Sequence, residues 1–299
     1  MISDRVRPSE PLEIFSYRAP AKFTAPDIEF SAPQPLMVRG GSFTVVAERT
    51  GVVPGSTYLW GGYNWTEVFA PAARTVELPS DAALVAGNAA AHNYYHWTIQ
   101  CLAPILIAHG RNKPSDMRFI VGSLTPAYRE GLDLAGVDAR LVHELHPEDL
   151  AIADQGIYTN LTTGAFAFTP HPAIDAAFGP LADRVARSRF AGRKVFVSRA
   201  DSTNRCAVNE EALSEALVAR GFDVVLLTTM PLAEQIGLFR DAAVIVAQHG
   251  AGLTNLVYAA TGGNGPAVVE LHQENYLQQA FLKLCQLKRL NYTAVINPM

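Results

Sequence analysis

Residues 242–255 read A-A-V-I-V-A-Q-H-G-A-G-L-T-N. The apolar run Val244, Ile245, Val246 and Ala247 is of the kind a parallel strand buried on both faces carries, and it stops at Gln248-His249-Gly250-Ala251-Gly252. A second apolar segment, 253–260, follows at helical spacing. Strand, glycine turn and helix in this order are the unit of an α/β sheet. Glycines at such a turn let the backbone approach a ligand closely, and the amides opening the helix carry the positive end of its dipole. The turn therefore suits an anion such as a phosphate. The candidate contacts are His249, Gly250, Ala251, Gly252, Leu253, Thr254 and Asn255. The competing reading is a tight turn with a hydrogen-bonded histidine, because short glycine motifs recur by chance.

Upstream, Lys194-Val195-Phe196-Val197-Ser198-Arg199 is another short strand, and it ends in an arginine. Arg205 follows on the same loop, and a helix is expected from Asn209, as N-cap, to about Arg220, stopping at Gly221. Glu210 and Glu211 fall in its first turn, where carboxylates complement the dipole. Arg199 and Arg205 thus stand at a strand's carboxyl edge, where open α/β sheets bind ligands, and guanidinium forks match phosphate oxygens.

Residues 194 to about 271 resemble glycosyltransferase family 61. The resemblance rests on V-S-R-x-x-x-x-x-R-x-x-x-N-E (197–210), G-F-x-V-V (221–225) and L-A-E-Q-I-x-L-F (232–239). It continues through A-x-V-I-V-A-x-H-G-A-G-L-T-N (242–255) and V-V-E-L (268–271), with N-Y-Y-H-W (93–97) as an outlying match. The resemblance implies a GT-B fold, two Rossmann-like halves facing a cleft. It also implies inverting transfer of a sugar from a nucleotide-sugar, commonly a UDP-sugar, to a glycan hydroxyl, with no cofactor and no obligatory metal. Bacterial members sit in capsule and polysaccharide loci, which implies peripheral association with an assembly complex.

Inverting transfer is a single displacement. It needs a base for the acceptor hydroxyl and a counter-charge for the departing diphosphate. A histidine near its ordinary pKa suits the first task, and arginines with helix amides suit the second. His96 matches the family's H-W position, and His92, one turn away, is the second candidate. The alternative is that His96 is a packed histidine at a helix start. Many relatives carry an aspartate one turn after this histidine, whereas this chain has Gln100, and Asp81 is a further carboxylate to consider. Glu270, at a strand end, is placed to accept ribose hydroxyls, or else is an ordinary surface glutamate. The neutral Gln100 leaves room for a second function, a nucleotide-sugar-binding subunit without turnover. A third is a related transferase of envelope polymers, such as a pyruvyl transferase.

Other chemistries fare worse. There is no D-x-D to clamp a divalent cation, and His143-Glu144-Leu145-His146 has the wrong spacing for helical H-E-x-x-H. No G-x-G-x-x-G follows an early strand and no G-x-S-x-G elbow is present. A net charge of −4 gives no general attraction to nucleic acid or anionic membrane. Residues 1–20 lack a signal-like apolar region, and no run approaches a membrane span. Cys101, Cys206 and Cys285 are scattered, which suits reduced thiols in a cytoplasmic protein.

A chain of 299 residues is long enough for two domains. The expected division is an extended N-terminal arm over 1–35, an acceptor-side α/β domain over 36–190 and a nucleotide-binding Rossmann-like domain over 191–299. A small β-rich start (strands over 42–47, 57–60 and 75–78) precedes strand 83–86, helix 94–108, strand 118–121, helix 126–134, strands 141–144 and 156–160, and helix 172–189. From 194, five strands alternate with four helices.

Overall fold

The structure is a computed structural model describing residues 2–7, 12–15, 20–23, 25–48, 50–56, 66, 69–79, 81–110, 116–167, 169–202 and 207–298. The chain divides into two compact units, Met1–Ser9 with Ala25–Thr169, and Glu10–Thr24 with Pro170–Met299. The described part of the expected N-terminal arm is paired: β1 (Ile2–Val6) runs antiparallel to β4 (Ile28–Ser31), and β2 (Leu12–Phe15) to β3 (Pro20–Phe23). The helix Pro172–Asp183, placed by the sequence before the linker at 191, groups with the second unit. Packing explains this. Phe178 is fully buried and meets Tyr258 edge-on at 5.4 Å. Lys288, also buried, pairs with Asp175 of that helix and donates to the Ala259 carbonyl at 2.8 Å.

The sheet of the first unit is mixed. β5 (Gln34–Arg39), β6 (Val45–Ala47) and β7 (Gly51–Val52) form an antiparallel flank. The parallel part holds β8 (Thr75–Glu77), β9 (Ala82–Val85), β10 (Arg118–Val121), β11 (Val142–Glu144) and β12 (Leu150–Ile157). The order is β11-β10-β9-β12-β5-β6-β7, with β8 also on β12. Counted from β9, its parallel strands run 3-2-1-4, the first four positions of the dinucleotide-fold order, and the order reverses between β9 and β12. The core joins Leu36, Val38, Phe43, Val45, Val85 and Ile120. A side chain such as Ile120, fully buried, contributes about 1.5–3 kcal/mol. The ring of Phe43 presses on the turn after β9, where a Cβ on Gly87 would stand 2.2 Å from it. The strand expected at 156–160 is instead β12: exposed Asp154 and Gln155 interrupt the alternation, and the register shifts between Ala153 and Gly156. The strand expected over 57–60 lies outside the described residues.

The second unit has a five-stranded parallel sheet. β13 (Lys194–Val197), β14 (Phe222–Val225), β15 (Val244–Gln248), β16 (Ala267–Gln273) and β17 (Tyr292–Asn297) lie in the order β14-β13-β15-β16-β17. Counted from β13 the order is 2-1-3-4-5, so it reverses between β13 and β15, and ligands of such sheets bind beyond the carboxyl ends at that point. Helices Glu210–Val218, Leu232–Asp241 and Ala280–Leu287 occupy three crossovers. The fourth, expected as an α-helix over 253–260, is a 3-10 helix over Ala251–Tyr258. Leu253 donates to the Gly250 carbonyl at 3.0 Å, and Thr254, Asn255 and Val257 are weak α-helix formers. Among the described residues no helix is long and apolar enough to cross a membrane. Cys101 and Cys285 are buried free thiols, and burial pushes the Cys101 thiol up to about 12, which keeps it unreactive.

Candidate phosphate-binding and general-base sites

In the second unit, Arg199 follows β13 and Gly250 follows β15, the two strands flanking the reversal. A Cβ on Gly250 would lie 1.9 Å from Nη1 of Arg199. Its φ of 178° is extended backbone open to any residue, so the approach of the guanidinium, not handedness, requires glycine here. Nη2 of Arg199 donates to Ser202 Oγ at 2.8 Å. Arg205 lies outside the described residues.

Glu210 organises these loops, a role the sequence reading did not assign. Its Oε1 accepts from Ser198 Oγ at 2.5 Å and from the Arg199 amide at 2.7 Å, and its Oε2 from Gln248 Nε2 at 2.6 Å. Gln248 Oε1 in turn accepts from the Ala207 amide at 2.9 Å. One buried carboxylate thus ties the end of β13 to the end of β15. Asn209 occupies the N-cap position, but its side chain makes no capping bond. The glutamate beside it turns inward instead.

His249 is held from behind. Its Nδ1 lies 2.5 Å from Glu270 Oε1, and because an ionised carboxylate only accepts, Nδ1 carries the proton. Tyr292 donates to Glu270 Oε2 at 2.6 Å, and His272 Nε2 stands 3.4 Å from the same oxygen. Burial opposes ionisation of Glu270, but the bonds and charges of His249 and His272 outweigh it and hold the carboxyl below its usual range. Glu270 is fully buried with both oxygens engaged, so it supports His249 instead of facing a ribose as expected. Its signal was present in the sequence, because Val268, Glu270 and His272 alternate onto one buried face of β16. Ligand atoms of His249, Glu270 and His272 lie within 4.8 Å of one another, a grouping that could hold a metal ion. The 2.5 Å separation is that of a hydrogen bond, whereas two ligands sharing a tetrahedral zinc stand roughly 3.4 Å apart. His249, Gln248 and Tyr276 border a cavity of about 540 Å³ beyond the strand ends.

The remaining residues of the glycine turn divide by burial. The His249 amide donates to Leu271 and the Leu253 amide to Gly250, while Gly250, Ala251 and Gly252 supply the first amides of the 3-10 run. Leu253, Thr254 and Asn255 are buried, and Asn255 Nδ2 donates to Gln235 Oε1 at 2.9 Å. The Asn255 side chain thus anchors the turn to the helix Leu232–Asp241, whereas Thr254 Oγ1 is buried with no hydrogen-bond partner among the described residues.

In the first unit, His96 closes a helical turn, Tyr94–His96, capped by Asn93, whose side chain accepts from the Tyr95 amide. A π-helical turn, Trp97–Leu102, follows before the α-helix Ala103–Gly110; such widened turns are frequent at functional sites. His96 is buried, and its Nδ1 lies 2.7 Å from Gln100 Oε1. Burial lowers the His96 pKa below its ordinary value; the Gln100 bond works against this and neighbouring His92 adds to it. His92 is exposed, with Nδ1 3.3 Å from the Ala89 carbonyl. Asp81 faces Arg118 at 3.6 Å, and Glu144 pairs with Arg129 from strand β11, so the His143–His146 stretch is not a helical metal motif.

No curated protein matches the chain. The family model described as Glycosyltransferase 61 matches residues 94–265. That span contains His96, Gln100, Arg199, Glu210 and the glycine turn, and it ends just before β16. Because the match covers more than half of the sequence, the chain belongs to glycosyltransferase family 61.

Proposed function

We propose that the chain is an inverting, metal-independent glycosyltransferase of GT-B architecture. It moves a sugar from a nucleotide-sugar, in the first instance a UDP-sugar, to a glycan or polysaccharide hydroxyl, working in the cytoplasm beside a polysaccharide assembly complex. The pairing of Arg199 with Gly250 at the reversal of a parallel sheet carries this reading. It sets a fixed cation beside helix-opening amides, where a diphosphate's charge would be met without a metal. Arg205, six residues on in the sequence, is the second proposed cation. His249, backed by Glu270, is one of the polar side chains lining the cavity at the same sheet edge.

In the reaction, His96 takes the proton of the acceptor hydroxyl as that oxygen bonds to the anomeric carbon. The bond from that carbon to the phosphate oxygen breaks, and its electron pair leaves on the nucleoside diphosphate. Attack opposite the leaving group inverts the anomeric centre. A second reading, nucleotide-sugar binding without turnover, draws on the absence of a carboxylate on His96 Nδ1, where Gln100 stands.

A panel of UDP-, GDP-, CMP- and dTDP-sugars tests both. One donor should raise the melting temperature, since a ligand at 100 times its Kd adds about 2.7 kcal/mol, and the same donor should be hydrolysed or transferred. Stabilisation without breakdown would favour the binding subunit. No stabilisation by any donor would sink both readings.

A further inference from the structure

The amide of Gln100 can be oriented without ambiguity. Gln100 is fully buried, and its Nε2 reaches the carbonyls of Leu161 at 3.2 Å and Thr163 at 2.6 Å. Both amide hydrogens therefore have acceptors. A flipped amide would set Oε1 against two carbonyl oxygens and forfeit both bonds in a buried place. The segment supplying them is fixed independently, because Asn88 Nδ2 donates to the intervening Thr162 carbonyl at 3.1 Å. Oε1 must then be the atom that meets His96 Nδ1, and an amide oxygen only accepts. Nδ1 must carry the hydrogen, which in a neutral imidazole leaves the lone pair on Nε2.

We propose that Gln100 is the positioning residue for His96: keyed by the Leu161 and Thr163 carbonyls, it holds the imidazole in the Nδ1–H form, so that Nε2 is the atom that accepts the acceptor's proton. This rests on the reading of His96 as the base. The same geometry explains why a neutral amide occupies this position. A carboxylate here would face two carbonyl oxygens with no hydrogen to offer. Gln100 replaces the orienting function of a carboxylate without its charge, and burial keeps the imidazole below its ordinary pKa.

Histidine tautomers are read directly by long-range ¹H–¹⁵N correlation on ¹⁵N-histidine-labelled full-length chain above pH 6.5, with the His96 signals assigned by their loss in His96→Ala. The expected pattern is a proton on Nδ1 and an unprotonated Nε2; an Nε2–H form in the folded wild type overturns the proposal. In kinetics with the donor selected by the panel, Gln100→Leu should lower kcat about 10²-fold with little change in donor KM. Gln100→Glu, close in shape but lacking the donor, should not restore it. An active Gln100→Leu beside an inactive His96→Ala removes Gln100's role and leaves the base intact. A fully active His96→Ala removes the base itself. Should Gln100→Leu fail to fold, the wild-type spectrum and Gln100→Glu still decide.

Discussion

Arg199 lies against Gly250 so closely that a Cβ at position 250 would stand 1.9 Å from its Nη1. Two strand-end loops, distant in sequence, thus meet at one point of the second unit's sheet. Arg199 is held there on its backbone side by Glu210, at 2.7 Å from the amide, and on its guanidinium by Ser202, at 2.8 Å. A cation fixed in advance loses little freedom when an anion arrives, which is the general basis of tight phosphate binding.

Gly250→Ala should fold, because its backbone suits any residue and the clashing atom ends a flexible side chain. Arg199 must swing away, so affinity for UDP is expected to fall on the order of 10-fold by calorimetry, with the melting temperature nearly unchanged. Unaltered affinity would show that Arg199's place beside Gly250 is incidental.

Glu210→Ala strips the acceptor from Ser198 Oγ, the Arg199 amide and Gln248 Nε2 at once. Leaving buried donors unpaired should lower stability by about 3 kcal/mol in urea unfolding. UDP affinity should drop with it, because the loop carrying Arg199 loses its anchor. A variant as stable as the wild type would contradict the network.

His96→Ala should reduce turnover by about 10²- to 10⁴-fold while leaving UDP binding intact. The pH profile follows from the direction of the shift. Burial lowers the His96 pKa from 6.5, so the neutral, base-competent form persists further into acid than an ordinary histidine's. The acid limb of kcat is expected below pH 6.5, with a level region above it. A limb centred above 6.5 would assign the titration to another group.

On the proposal that Arg199, Arg205 and the turn amides meet the diphosphate's charge, turnover should survive exhaustive EDTA treatment. Activity lost to chelation and restored by Mn²⁺ or Zn²⁺ would turn attention to His249, Glu270 and His272, the one three-residue grouping of that kind among the described residues.

The second unit was legible because parallel strands buried on both faces write themselves as apolar runs. Val195–Val197 and Val244–Ala247 could be read without any partner. β12 was not, since Asp154 and Gln155 break its alternation and its pairing with β5 shifts register there. The site shows the same contrast. Arg199 and the glycine turn announce themselves by residue type and by position after a strand. Glu210 was visible only as a helix start, and Glu270, though its alternation with Val268 and His272 could be read, gave no sign of its partners. Their work depends on Gln248 and Tyr292, whose nearness follows from strand order and not from sequence distance. The His96–Gln100 pair was within reach, being four residues apart on a helix, yet the carbonyls of Leu161 and Thr163 that orient the amide could not be inferred from it.

On the proposed reading, the carboxyl edge of the second unit's sheet holds a nucleoside diphosphate through Arg199. Calorimetric titration of wild type and Arg199→Ala with UDP, and with GDP in the same design, decides this. Loss of a charge-assisted contact worth about 1.5–3 kcal/mol should weaken binding of the preferred nucleotide about 10- to 150-fold in a variant that remains folded. Equal affinity in the two folded proteins, or binding of neither nucleotide by the wild type, would rule out Arg199 as the diphosphate's partner.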